Sequence, residues 1–207
     1  MDFQATLFEP DAALGPLAPL TGAVERVRLP HGAWVDLRPG WVLDADEVLA
    51  TMLGEVPWRA EQRPMYDRVV DVPRLVSTYA EGQPLPHATL AAARDALSEH
   101  YRPELGEGFV TAGCCYYRDG RDSVAWHGDR IGRGRSADTM VAIVSLGDPR
   151  RLALRPRGGG ESRSFTMGHG DLLVMGGSCQ RTWDHAVPKV AHAGPRVSVQ
   201  FRPRHVF

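Results

Sequence analysis

Lysine is almost missing from this chain: Lys189 is the only one, and arginine carries nearly all of the positive charge. Long apolar runs are missing too. No stretch approaches the roughly 20 residues that cross a bilayer as a helix, and residues 1–8 lack the basic start and apolar stretch of a secretory signal. Cysteine is scarce. Cys114, Cys115 and Cys179 form an odd set without CxxC spacing, which argues against a disulfide framework and against a structural zinc site. A reducing compartment is therefore expected, and with it a cytoplasmic location. The net charge is only −1, so the molecule as a whole does not draw in nucleic acid by its long-range field, and any such binding has to be local. Local positive charge does exist, at Arg118, Arg121, Arg130, Arg133 and Arg135 and again at Arg150, Arg151, Arg155 and Arg157. These stretches fit phosphate neutralisation and solvated loops equally well.

A chain of 207 residues, 43% of them hydrophobic, can bury one substantial core, and a single domain over 1–207 is expected. Residues up to about 20 have no clear period and read as an irregular arm. Two short strands are expected at 24–29 and 33–37 around a Pro-His-Gly turn. A helix follows at 44–53, with Asp in its first turn, Val48, Leu49, Met52 and Leu53 on one face, and Gly54 at its end. Leu90, Ala93, Leu97 and Tyr101 predict a second helix over about 87–100. From residue 109 the pattern changes to short runs of β-branched and aromatic residues separated by Gly, Asp and Pro. Eight strands are expected there, at 109–117, 123–126, 139–146, 152–154, 162–167, 171–175, 184–187 and 196–201, with a glycine-rich hairpin turn at 157–161. Helices followed by eight short strands predict an α+β chain built on a double-stranded β-helix, or jelly roll, with a helical buttress.

His127-Gly-Asp129 is the first chemical clue, because residues two apart at a strand end point the same way. His185, in Trp183-Asp-His185-Ala-Val-Pro188 on another expected strand, is a candidate third ligand. Two imidazoles and a carboxylate on one face of an octahedron leave three positions open, the arrangement of non-haem Fe(II) oxygenases, whereas zinc usually takes a tetrahedral set. By itself this pattern does not fix a metal, since the chain has eight histidines. Arg196 and Arg202 strengthen it. They share one face of the last long strand with residues 198 and 200, and an arginine buried in a jelly-roll core is costly unless it meets an anion. A dicarboxylate cofactor, gripped in a bidentate manner, would be that anion.

With these residues in place the chain resembles the AlkB-type Fe(II)- and 2-oxoglutarate-dependent dioxygenases. The similar stretches are Tyr117-Arg-Asp-Gly120-Arg-Asp-Ser-Val-Ala-Trp-His127-Gly-Asp129, Val144-Ser-Leu-Gly147, Gly170-Asp-Leu-Leu-Val-Met175, His185-Ala-Val-Pro188 and Pro195-Arg196-Val-Ser-Val-Gln-Phe-Arg202, in the family's order. They cover most of 73–202. Val72-Pro-Arg-Leu-Val-Ser-Thr-Tyr79 is similar to the family's nucleotide-recognition segment, placed at about 55–85, ahead of a catalytic core at about 109–203. The resemblance implies His127, Asp129 and His185 as ligands of Fe(II), and Tyr117, Arg196 and Arg202 as contacts of 2-oxoglutarate, with dioxygen as co-substrate. Cys115 and Ser198 are also implied at the cofactor, each standing where the family commonly has asparagine. On the substrate side it implies Arg74 and Tyr79, with Met65 and Tyr66 at a duplex-probing hairpin, and His127 as one wall for a flipped base. Trp126, Ile131 and Arg157 are further substrate candidates.

The activity implied is oxidative removal of alkyl groups from damaged DNA or RNA bases, with release of succinate, carbon dioxide and formaldehyde. Ile131 departs from the pattern, because the family commonly has an acidic residue there to read an exocyclic amine, and the lid after Tyr79 is short. These departures favour an alternative in which the same iron and cofactor act on a protein side chain or a small molecule. A third reading is a non-catalytic jelly roll that binds nucleic acid through its arginines and tolerates His127→Ala.

Overall fold

The structure, a computed structural model, describes residues 15–65, 68–129 and 132–206, with side chains described throughout these except at 63–65 and 68–71. In chain order, β1 (Glu25–Arg28), β2 (Ala33–Arg38), α1 (Ala45–Glu55), β3 (Arg59–Met65) and β4 (Arg68–Tyr79) lead to the long helix α2 (Ala88–Leu105). Then follow β5 (Thr111–Tyr117), β6 (Val124–His127), β7 (Val141–Gly147), β8 (Arg150–Pro156), β9 (Arg163–Met167), β10 (Asp171–Gly177), the short α3 (Cys179–Thr182), β11 (Trp183–Val187) and β12 (Arg196–Arg202).

The eight strands from β5 onward divide evenly between two sheets. One sheet runs β1-β2-β10-β7-β12-β5-β4-β3 and the other β6-β11-β8-β9, and every pairing is antiparallel. This is the jelly roll with two additions, since β1–β2 extends the larger sheet beyond β10 and the β3–β4 hairpin extends it beyond β5. The hairpin lies in the expected nucleotide-recognition segment. Its backbone pairs Met65 with Arg68, while Tyr66, which the family resemblance implies at a duplex-probing hairpin, lies outside the described residues, as does Ile131.

Alternation along the strands builds two cores. Val197, Val199 and Phe201 of β12, Ala112 and Cys114 of β5, and Ala142, Val144 and Leu146 of β7 face the helices, where Val48, Met52, Leu90 and Leu97 cover them. The opposite faces, with Tyr117, Val141 and Ile143, pack against Leu152, Leu154 and Trp183 of the smaller sheet. Strand β7 is thus buried on both sides, which explains why it reads as a continuous apolar run rather than an alternating one. At its end Gly147 has φ +91, and a Cβ there would lie 2.3 Å from the Pro195 carbonyl oxygen, so only glycine lets the β12 entry pass.

Helix α2 runs further than its apolar spacing predicts, to Leu105, with Pro103 inside it and Gly106 in the left-handed conformation at its end. Gly106 N–H donates to the Arg102 carbonyl at 2.8 Å. Pro103 has no N–H to donate, so the Glu99 carbonyl one turn earlier goes without its intrahelical partner, and the helix ends within three residues. The helix is tied to the larger sheet by Tyr101, whose hydroxyl donates to Asp36 at 2.9 Å, and Asp36 is held in turn by Arg26.

Candidate functional site

Strands β6 and β11 are direct neighbours in the smaller sheet, and their register sets His127 opposite His185. The two rings stand 4.2 Å apart by centroid. His127 Nδ1 lies 2.9 Å from the Ala125 carbonyl oxygen. A carbonyl only accepts, so Nδ1 carries the proton and Nε2 is left as a donor atom for a metal. That Nε2 is 3.7 Å from Asp129 Oδ1. Ligand-capable atoms of His127, Asp129 and His185 all lie within 4.8 Å of one another. The central glycine of His-Gly-Asp has a steric reason: a Cβ on Gly128 would come within 2.9 Å of the Gln180 carbonyl oxygen and 3.2 Å of that of Trp183. Asp129 N–H donates to Gln180 Oε1 at 3.1 Å, which fixes the turn that brings the carboxylate back beneath the ring.

The electrostatics suit ligation by neutral imidazole and anionic carboxylate. Burial pushes the His185 pKa down to about 4, with His127 adding to the effect and Asp129 opposing it. Burial acts in the opposite sense on Asp129, but Arg202 and the two histidines outweigh it and hold the carboxyl at about 2. Arg202 reaches Asp129 Oδ2 through Nε at 3.0 Å and Nη2 at 2.9 Å. Both metal-ready forms are therefore the resting forms near neutrality.

Behind this triad the pocket runs inward between the sheets, with about 590 Å³ of empty space including its mouth. Its wall is the inward face of β12, where Arg196, Ser198, Gln200 and Arg202 alternate as the sequence predicts, with Tyr117 and Cys115 of β5 beside them. Arg196 is only 2% exposed. Its Nε donates to Ser145 Oγ at 2.9 Å, the Tyr117 ring lies under its guanidinium at 5.0 Å, and its Nη1 is buried with no partner. Desolvation lowers the Arg196 pKa and pushes that of Tyr117 up to about 12. Arg150, also buried, lies on the same tyrosine ring at 5.5 Å and gives Nη1 and Nη2 to the carbonyls of Asp119, Asp122 and Pro188, while its Nε has no partner. Two buried guanidiniums with neutral partners and an idle donor make a cradle for an anion.

A shallower groove lies next to this pocket on the β4–β5–β12 surface, lined by Ser77, Tyr79 and Gly113, with Arg74, Cys115, Gln200 and Arg202 common to both cavities. The structure therefore brings together the triad, Tyr117, Cys115, Arg196, Ser198, Arg202 and Arg74, and places Tyr79 in the adjoining groove. Trp126 and Arg157 do not line the pocket. Trp126 is 40% exposed on the outer face of the smaller sheet under the Arg155 guanidinium, 4.5 Å from it, because adjacent strand residues point to opposite sides and His127 takes the inward one, while an irregularity in the β6–β11 register lets Val124 line the pocket as well. Arg157 is engaged by Asp184 on the same outer surface. Met65 is placed in β3 by its backbone alone. Gln200 lines the pocket and Ser145 holds Arg196 although nothing marked either as functional beforehand, and Arg150, expected only as a phosphate or loop arginine, lies against Tyr117. For Gln200 the signal was its phase with Arg196 and Arg202.

A family model described as "2OG-Fe(II) oxygenase superfamily" matches residues 44–202. Alpha-ketoglutarate-dependent dioxygenase alkB homolog 3 of Homo sapiens is 32% identical over 192 residues, which cover 81% of this chain and 65% of that protein. The DNA oxidative demethylase ALKBH2 of Arabidopsis thaliana is 31% identical over 133 residues, 53% of this chain and 42% of that protein. This chain thus spans a little under two thirds of the length of the human relative. Among solved structures, that of OsALKBH1 superposes with a TM-score of 0.60 at 16% identity, over 86% of this chain and 100% of that one. A 2OG-Fe(II) oxygenase family oxidoreductase from Burkholderia pseudomallei gives a TM-score of 0.60 at 14% identity, over 83% and 86%. At such identities the superpositions speak for the shared jelly roll alone. No described helix is long and apolar enough to cross a membrane.

Proposed function

Because this chain belongs to the 2OG-Fe(II) oxygenase superfamily, whose cofactors are Fe(II) and 2-oxoglutarate, we propose that it is a dioxygenase that oxidatively dealkylates bases of alkylated DNA or RNA. The observation that carries the reading is the pairing, in one pocket, of a two-histidine, one-aspartate set with a buried arginine whose Nη1 has no partner. His127, Asp129 and His185 would hold Fe(II), and Arg196 would take the distal carboxylate of 2-oxoglutarate with Tyr117, Ser145 and Ser198 around it. Bound there, the metal, diacid and dioxygen together supply the oxidising power to hydroxylate an N-linked alkyl carbon, with succinate and carbon dioxide as co-products.

The protein's own residues orient and exclude. Arg202 pins Asp129 Oδ2 and leaves Oδ1 directed toward His127 Nε2. The apolar wall of Val141, Ile143, Leu152 and Met175 keeps water from the inner end of the pocket. Half-exposed His127 at the mouth gives a flat surface for a base to rest on, and the adjoining groove with Arg74 and Tyr79 would receive the rest of the nucleotide. A base inside a duplex has to be flipped out to reach this depth, at a cost of a few kcal/mol that a lesion at a pairing nitrogen reduces. A hydroxymethyl on nitrogen then falls away as formaldehyde and leaves the plain base.

The relatives named as an alkB homolog and as a DNA oxidative demethylase support nucleic acid as the substrate class. Ile131, a side chain unable to accept a hydrogen bond, favours a second reading in which a protein or small molecule is oxidised. Mass spectrometry of alkylated single- and double-stranded oligonucleotides incubated with protein, Fe(II), ascorbate and 2-oxoglutarate separates the two. Loss of the alkyl mass with matching formaldehyde is expected. Succinate formation with every oligonucleotide unchanged would overturn the nucleic-acid reading.

A further inference from the structure

Gln200 lines both the inner pocket and the outer groove. Its Nε2 donates to Ser198 Oγ at 2.5 Å and to the Ser198 carbonyl at 3.0 Å. Its Oε1 accepts from the Cys115 thiol, 3.8 Å away, and Cys115 Sγ accepts from Arg74 Nε at 3.3 Å. On the inner side Ser198 lines the same pocket as Tyr117, whose ring lies under the Arg196 guanidinium at 5.0 Å. A polar chain therefore runs from Arg74 at the groove through Cys115 and Gln200 to Ser198, beside Tyr117 and the buried arginine. Gly113 stands opposite Gln200 on β5, and a Cβ there would lie 3.4 Å from Gln200 Oε1 and 2.8 Å from Arg202 Nη1. The bare glycine keeps open the space that the amide and the guanidinium share.

We infer that Gln200 is a positioning residue for the diacid: by holding the rotamers of Ser198 and Cys115 it sets the polar wall of the pocket before the diacid arrives. A serine hydroxyl and a cysteine thiol each rotate among staggered positions when free. With Gln200 donating to Ser198 Oγ, the serine's own proton has to point elsewhere. With Gln200 Oε1 facing the thiol, the sulfur's lone pairs are turned to Arg74. An amide with both a donor and an acceptor does this work, and an apolar side chain of the same length does neither. The benefit is pre-organisation, which improves affinity by removing an ordering cost from the binding step.

This inference rests on the reading of the pocket as a 2-oxoglutarate site, and its test is chosen to separate the two. Calorimetry on the full chain measures Mn(II) binding to metal-free protein and then 2-oxoglutarate binding to the Mn(II)-loaded protein, for wild type and Gln200→Met. The methionine keeps the length and loses the hydrogen bonds. The expected result is 2-oxoglutarate affinity roughly tenfold weaker with Mn(II) affinity unchanged within about twofold, and the same split in Gln200→Ala, which replaces the first variant if that one does not fold. Unchanged 2-oxoglutarate affinity in the folded variant overturns the role of Gln200 while the pocket reading stands. Equal weakening of metal and diacid also overturns it, because that marks a general disturbance. No 2-oxoglutarate binding by wild type removes both.

Discussion

Arg196 gives the sharpest test of the physical argument, because the same feature that prepares it for a ligand is a cost without one. The side chain is 2% exposed, has a neutral partner in Ser145 and a neutral neighbour in the Tyr117 ring, and leaves Nη1 buried without a partner. Even a whole buried ion pair replaced by apolar groups of similar volume leaves a protein as stable or more stable by about 1–4 kcal/mol, and the hydrogen-bond partner of Arg196 is neutral, so no counter-charge there offsets its desolvation. For a chain of this size each kcal/mol moves the melting temperature by about 2–4 °C. Arg196→Met should therefore leave the ligand-free protein as stable as wild type or raise its melting point by several degrees. Binding moves the other way. Losing one partner of a buried, charge-assisted pair costs about 2–5 kcal/mol, so 2-oxoglutarate affinity should fall by roughly 30-fold to several thousandfold. Thermal melts with Mn(II), with and without 2-oxoglutarate, read both effects. At about 100 times the dissociation constant the diacid stabilises wild type by about 2.7 kcal/mol, and at that concentration the variant should show little or no rise. An Arg196→Met protein that melts well below wild type without ligand, yet keeps the full rise with it, would refute the reasoning.

Acid titration gives a second prediction. Burial holds the His185 pKa at about 4, against an ordinary 6.5, so the unfolded chain takes up this proton before the folded one does. The stability it contributes is whole above about pH 6.5 and is lost as pH falls toward 4. Melts of metal-free wild type should decline across that window more steeply than those of His185→Gln, and equal slopes would count against the burial argument; Asp129, held at about 2, stays ionised throughout. A third concerns Gly134, where a Cβ would lie 2.2 Å from the Asp129 carbonyl oxygen. That oxygen is backbone and cannot swing aside, so Gly134→Ala should shift Asp129 and weaken Mn(II) binding by roughly tenfold or more while the far-ultraviolet circular dichroism stays native; unchanged metal affinity would show that the loop yields freely.

The jelly roll was legible because its eight strands carry β-branched and aromatic runs between turn residues, and a strand phase of two also set Arg196, Ser198 and Arg202 on one wall. The triad was legible for the same reason, since His127 and Asp129 are two apart and His185 lies on its own short strand. What the sequence hid was set by pairing partners and by sterics. β3, reading Arg-Ala-Glu-Gln-Arg-Pro-Met, has no apolar alternation to reveal a strand: it is the outermost strand of its sheet, and none of its described side chains, those of 59–62, is buried. The extension of α2 past His100 depends on the Gly106 cap rather than on further apolar spacing. Trp126 read as a substrate contact by its adjacency to His127, whereas strand alternation turns it outward under Arg155. Gln200 was hidden because its role depends on what stands across the β5–β12 pair, a glycine that leaves it room and a cysteine that it meets.

Anomalous diffraction from crystals grown with Mn(II) and 2-oxoglutarate tests the central claim most directly. One strong peak is predicted at roughly 2.0–2.2 Å from His127 Nε2, an Asp129 carboxylate oxygen and a ring nitrogen of His185, with the far carboxylate of the diacid against Arg196 Nη1. A metal found instead at the only other such grouping among the described residues, Asp44, Glu47 and His87, or a diacid bound away from Arg196, would contradict it.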